Sequence, residues 1–379
     1  MSEAPLPAAC ADCLRRAWLI GSLAGHIERA ASDSPGRRAH ELLALPEEEL
    51  ARAMARSEAK SFLERAASRD VDRLQAAVAD ADAWACCTHD HLYPDALRDL
   101  GDPPSVLFGR GDSTRFADVD AEHAVTIVGS RRPSGYGRDV ATALGRDLAA
   151  AGLPVISGMA LGIDSCAHRG ALEAGGLTIA VLGTGVDVPY PPRFARLYEE
   201  IVERGLVIGE LPPGSAPRRW TFPARNRIMA ALGAMTIVVE ARERSGSLIT
   251  AEMAGELGRQ VGAVPGRVGA SSAAGTNGML RDGAAVIRGA QDVLDALLPV
   301  GATEVTGFVA RGPRLDPDLA KLLELVEGGV ATPDALCRGS GLAPGPLAAG
   351  LVRLELSGYV RADSAGRYER TSLAMPDPA

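Results

Sequence analysis

The stretch VTIVGSRRPSGYGRDVATALGRDLAAAGLPVISG, residues 125–158, decides the fold. VTIVGS is a short apolar run that stops at Gly and Ser, the pattern of a strand buried on both faces. RDVATALGRDLAAAG repeats its apolar residues at helical spacing and sets Gly152 just past the last turn, where helices end. LPVISG reads as a second buried strand. A strand, a crossover helix and another strand within about thirty residues make a parallel βαβ unit.

The rhythm continues downstream. SCAHRGALEAG (165–175) and FARLYEEIVERG (194–205) read as helices, and LTIAVLGTG (177–185), LVIGEL (206–211), MTIVVEA (235–241) and VGAVPG (261–266) as apolar strands. The expected architecture is α/β, an extended Rossmann-like parallel sheet covered on both faces. Residues 1–83 carry apolar positions at helical spacing in LRRAWLIGSLAGHIERA and LPEEELARAMARSEAKSFLERAA, split by SDSPGRRA, and read as an N-terminal helical module. The core is placed at 84–298, with 84–112 as a connecting segment entering the sheet. Residues 299–314 read as a linker. Residues 315–370 show a helix, a helix-turn-helix and a hairpin, the pattern of a winged helix, and 371–379 reads as a tail.

The chain has 379 residues, enough for two or three domains. No apolar run reaches bilayer length. The start, MSEAPLPAAC, lacks the basic and apolar regions of a secretory signal. A cytoplasmic location away from membranes is the expectation. The formal net charge is −8, and of 40 basic residues only Lys60 and Lys321 are lysine. Affinity for a polyanion therefore has to come from local arrangement rather than from overall charge. Cys10-Ala-Asp-Cys13 and Cys86-Cys87-Thr-His89-Asp-His91 offer metal ligands in principle. The two groups are far apart in sequence and the second lacks metal-type spacing. The expectation is reduced thiols and no metal.

Three of the strands end in small residues: Gly129-Ser130-Arg131, Ser157-Gly158 and Gly183-Thr184-Gly185. Such turns let backbone amides approach an anion with a helix N-terminus behind them. One such turn is ordinary βα geometry. Three on one sheet edge read as a phosphate-binding ledge. GxxxxGK[ST] and GxGxxG are both missing, so no ATP, GTP or NAD cofactor is expected. Residues 218–228, Arg218-Arg219-Trp220-Thr221-Phe222-Pro223-Ala224-Arg225-Asn226-Arg227-Ile228, hold four arginines, two aromatics and no acid. Arginines bind phosphate and aromatic faces stack unpaired bases. The alternative is a solvated arginine loop with its rings in the core. Ser245 and Ser247 open another helix and either cap it or touch phosphate. No catalytic set emerges: His123 and His168 lack a nucleophile, and no GxSxG is present.

Taken in order and spacing, GSR at 129–131, SGMALGID at 157–164, LGTGVDVPYP at 182–191, FPARNRI at 222–228, EA at 240–241 with SGSLITA at 245–251, and VPG at 264–266 with GTNGMLRDGA at 275–284 resemble the core of the DNA-processing protein A (DprA/Smf) family. The resemblance spans about 88–295. It implies a protein that binds single-stranded DNA, protects it during natural transformation, loads the recombinase RecA onto it and forms a homodimer. Matching DNA-contact positions are Arg131, Ser157, Gly158, Phe222, Arg225, Asn226 and Arg227, with Gly162 and Gly183 shaping the pocket. Arg218 and Arg219 stand in for lysines that this chain lacks.

Residues 315–370 carry eight acids against six bases, and their third helix has the single cation Arg353. A groove-reading helix needs several, so this module is expected to contact protein. Two other functions compete. Nucleotide phosphoribohydrolases with PGGxGTxxE share the broad fold, but here Arg267 follows Pro265-Gly266 and Met279 replaces the acid after Gly275-Thr276. A ligand-sensing regulator tethered to a winged-helix DNA reader is disfavoured by the acidic third helix.

Overall fold

A computed structural model of the chain describes residues 9–33, 39–116, 119, 122–298, 313–363 and 366–371. They form two compact units, one holding 9–132 and 141–298, the other 133–140 and 313–371.

The first unit is built on a nine-stranded sheet in the order β1-β2-β6-β5-β4-β3-β7-β8-β9. The strands are β1 (Trp84–Cys87), β2 (Val106–Gly111), β3 (Val125–Val128), β4 (Val155–Ser157), β5 (Thr178–Leu182), β6 (Leu206–Gly209), β7 (Met235–Val238), β8 (Gln260–Ala263) and β9 (Ala285–Val286). From β6 through β9 every neighbouring pair is parallel, as the apolar runs predict. The departure lies at one edge, where β1 and β2 pair antiparallel and β2 runs antiparallel to β6. The segment expected merely to connect is thus part of the sheet. Its Pro and Gly residues sit between the strands and do not dissolve them. Gly109 faces Trp84 across the pair, and a Cβ there would stand 2.1 Å from the indole.

Alternate residues along the central strands enter different cores. Ile179 and Val181 join one cluster with Ile228 and Leu232, whereas Ala180 and Leu182 join another with Leu14 and Tyr198. Burial on both faces is why these strands read as continuous apolar runs. The covering helices are α1 (Ala11–Asp33), α2 (Glu47–Ala55), α3 (Ala59–Ala67), α4 (Val71–Asp80), α5 (Asp95–Arg98), α6 (Gly135–Ala150, which belongs to this unit from Ala141 onward), α7 (Ile163–Glu173), α8 (Ala195–Arg204), α9 (Thr221–Leu232), α10 (Gly246–Glu256), α11 (Ala274–Arg281) and α12 (Ala290–Leu297). The N-terminal helices belong to the same unit as the sheet. Leu19, Leu23 and Ile27 of α1 and Leu50 of α2 pack with Trp220 and Ala224.

The second unit contains α13 (Pro317–Glu327), α14 (Pro333–Ser340), α15 (Pro344–Leu356) and the antiparallel pair β10 (Val360–Ala362) and β11 (Tyr368–Arg370). Asp316 caps α13 by accepting from the Leu319 amide, while Thr332 precedes α14 without a side-chain capping bond. Leu322, Leu336, Leu351 and Tyr359 form its core. Of the expected linker, 299–312 falls outside the described residues, as does 372–379 of the tail. Among the described residues no helix is long and apolar enough to cross a membrane.

Candidate nucleic-acid interface

From β3 the chain proceeds outward to β4, β5 and β6, then returns to the other side of β3 as β7. At such a switch the connections leave in opposite directions and open a crevice at the carboxyl ends of the strands. A cleft of about 480 Å³ lies there, lined by the turn after β3, the start of α9, and the loop from β7 into α10. Gly129, Ser130 and Arg131 form one wall. The Ser130 hydroxyl accepts from the Arg132 amide at 3.1 Å, which holds the turn. Ser245 caps α10, its hydroxyl accepting from the Ser247 amide and lying 2.8 Å from the Ser247 hydroxyl. Capping is therefore its role, and both serines also face the cleft. No acid occupies the first turn of α10, so the positive end of its dipole is left open to an anion.

The helical period of α9 sorts the FPARNR residues. Phe222, Arg225 and Asn226 are spaced i, i+3, i+4 and share one face, and all three line the cleft. Phe222 is half-buried and meets Tyr190 with ring centroids 5.2 Å apart, and the Arg131 guanidinium lies 5.9 Å from its ring. Gly183 backs this ring, since a Cβ there would stand 3.1 Å from Phe222. Arg225 is only 5 % exposed and forms the floor. It donates to the carbonyls of Gly158 and Val181 and to the Asn226 amide oxygen. Burial pulls its guanidinium down to about 10, with Asp164 opposing the shift and Arg131 adding to it. Asp164 lies beneath it and accepts from the Gly158 and Ala160 amides. Burial pushes this carboxyl up, against the pull of Arg225. Gly158 has no room for a side chain, since a Cβ would meet the Arg225 guanidinium at 2.2 Å. Gly162, at φ 85°, turns the chain into α7.

Five expected contacts are reassigned, Gly158 among them, since it is buried and its amide donates to Asp164. Ser157 is fully buried and its hydroxyl donates to the Ile127 carbonyl at 2.6 Å, so it ties β4 to β3. Arg227 is two residues beyond Arg225, hence on the opposite side of α9. It is 2 % exposed and ion-paired to Asp102 and Glu210. Arg218 packs against Gly25 of α1, and the Arg219 amide donates to Glu28. Neither lines the cleft. Between them and α9, Trp220 is buried and its indole donates to the Ala24 carbonyl at 3.1 Å, anchoring α1.

Two cleft residues and one packed against the cleft's Phe222 escaped the sequence reading. Arg242 and Arg244 are exposed and line the cleft beside the α10 N-terminus. Their signal was muted because Glu243 between them makes the segment look almost neutral. Tyr190, 38 % exposed, lay within a recognised motif without a role. His168 is fully buried against Thr178, 2.7 Å away, and burial drops it to about 3, so it stays neutral.

A doubly wound sheet whose switch-point cleft brings exposed guanidiniums beside Phe222 defines a Rossmann-type protein without a nucleotide motif. The family model for DNA recombination-mediator protein A matches residues 84–298, and that for the DprA winged helix domain matches 309–366. Protein Smf of Synechocystis is 35 % identical over 309 residues, covering 73 % of this chain and 78 % of its own length. A putative DNA processing protein DprA of Mycobacterium tuberculosis is 40 % identical over 266 residues, 69 % of this chain and 67 % of that one. The X-ray structure of DprA from Streptococcus pneumoniae superposes with a TM-score of 0.58 at 33 % identity, covering 76 % of this chain and 96 % of the other. The chain belongs to the DprA/Smf family.

Proposed function

We propose that the protein binds single-stranded DNA along the carboxyl edge of its sheet, as a binder and not as a catalyst. The observation that carries this reading is the gathering of three exposed arginines, Arg131, Arg242 and Arg244, and the half-buried Phe222 in one cleft, with Tyr190 packed against the Phe222 ring. Phosphates sit on the guanidiniums and the α10 N-terminus, and an unstacked base lies on the aromatic pair. Gly129, Ser130, Ser247 and Asn226 add polar groups along the same wall. Arg225 and Asp164 shape the floor from below. The acid is held by two backbone amides and covered by Arg225, which suits a structural part better than a general base.

The family resemblance supports extending the proposal to loading of RecA onto the bound strand and to a homodimeric, cytoplasmic protein. A gel shift with single-stranded and duplex oligonucleotides of equal length tests the central claim. Clear preference for the single strand is expected; equal affinity, or preference for duplex, would remove the role of the aromatic pair. Light scattering tests the dimer, and strand-exchange assays with RecA test loading.

A further inference from the structure

We propose that Cys10, Cys13, Cys87 and His89 form a zinc site that fastens the N-terminal helix to the edge of the sheet. The sequence keeps the CxxC and the Cys-Thr-His segment more than seventy residues apart, which is why no metal was expected from spacing. The fold brings them together. Their four ligand atoms all lie within 4.8 Å of one another. His89 Nδ1 stands 3.5 Å from the Cys10 sulfur, 3.5 Å from the Cys13 sulfur and 3.9 Å from the Cys87 sulfur. Zinc–sulfur bonds of about 2.3 Å and zinc–nitrogen bonds of about 2.0 Å, set tetrahedrally, require sulfur–nitrogen edges of about 3.5 Å. The observed spacings fit a shared ion better than they fit pairwise contacts.

Local structure explains the convergence. Cys10 immediately precedes α1 and Cys13 lies in its first turn, so the CxxC presents both sulfurs together at the start of the helix. The Cys10 amide donates to the Cys87 sulfur at 3.4 Å. Cys87 ends β1 and points to the face that α1 covers, together with Cys13 and Leu14. Cys86, one residue earlier, points to the opposite core and is excluded, and His91 pairs with Asp90. Three thiolates and one imidazole, with no open position, are the donor set of a structural zinc site and not of a hard cation. No disulfide competes, because all four partners, histidine included, face one point and the cysteines are free. β1 lies five strands from β3, roughly 24 Å at the usual strand spacing, so the ion holds the scaffold and leaves the DNA cleft untouched.

The full chain, expressed with zinc supplied and purified under reductant without chelator, is expected to hold roughly one zinc per chain by elemental analysis. Cobalt should replace it and give the visible absorption of a tetrahedral thiolate site. Cys87→Ser should lose the metal. Should that variant fail to fold, His89→Ala serves, because His89 is exposed. It should bind zinc more weakly and melt lower by on the order of 5 °C, and His89→Cys should restore both. A wild-type chain that holds no zinc and gives no cobalt spectrum overturns the proposal. So does a disulfide among these cysteines in protein kept reduced, or zinc retained undiminished in both Cys87→Ser and His89→Ala.

Discussion

Three arginines that look equivalent in the sequence do different work. Arg131 is exposed at the mouth of the cleft, Arg225 is its floor, and Arg227 is an internal ion pair. Arg131→Ala and Arg244→Ala should therefore weaken single-strand binding while leaving the melting temperature nearly unchanged. Phe222→Ala should cost about 1–3 kcal/mol of binding, roughly 5- to 150-fold in affinity, if its ring stacks a base. Fluorescence anisotropy against a labelled oligonucleotide reads all three variants, and unaltered affinities would place the strand elsewhere. Arg227→Ala should act on folding instead. It removes the guanidinium that pairs with the buried Asp102 and Glu210, at a cost of about 3–5 kcal/mol in a denaturant titration. His168 sets a pH dependence of its own. Burial lowers its folded value from 6.5 to about 3, so the unfolded chain binds the extra proton first on acidification. Its contribution is fully present above pH 6.5 and is lost as pH falls towards 3. Stability should drop by about 1.4 kcal/mol between about pH 7.5 and 5.5 on its account, and His168→Asn should flatten that slope.

Elements differ in how openly the sequence announces them. The buried parallel strands were legible because apolar runs ending in Gly have few other readings. That their turns share one edge was legible for the same reason, although of the three turns only Gly129-Ser130-Arg131 lines the cleft. Helix α9 was not. Trp220 at its N-cap offers no capping bond, and a basic stretch carries no apolar stripe to betray a period. Without that period, Arg225 and Arg227 could not be told apart, nor Trp220 separated from Phe222. The β1–β2 pair was hidden by the prolines between its strands, and β9, two exposed residues long, left no pattern at all. Helix α15 followed expectation in carrying few cations. Arg353 is tied to Asp316 at 2.9 Å, while Val352 and Leu356, four residues apart, are exposed. An apolar, nearly uncharged face suits a protein partner better than a phosphate backbone. Removing residues 315–379 should accordingly change single-strand affinity by no more than a few-fold in a gel shift, and abolished binding would reassign this unit to DNA.

At the scale of the molecule, a chain with net charge −8 cannot draw DNA in through its overall field. Whatever affinity it has must arise within about one Debye length of the ledge, about 10 Å at 0.1 M salt. That makes the salt dependence a count of the contacts. If Arg131, Arg242 and Arg244 each displace one counterion, log affinity should fall against log salt with a slope of about −2, taking about 0.7 per phosphate on a single strand. Arg244→Ala should reduce the steepness by about 0.7, whereas Phe222→Ala should lower affinity at every salt concentration and leave the slope alone. The two effects separate because phosphate pairing releases ions and base stacking does not. Titrations of the wild type and both variants at several salt concentrations measure this directly. A slope near zero would mean that the arginines do not meet phosphate. A much steeper one would mean that the polyanion follows a longer cationic path than this cleft provides.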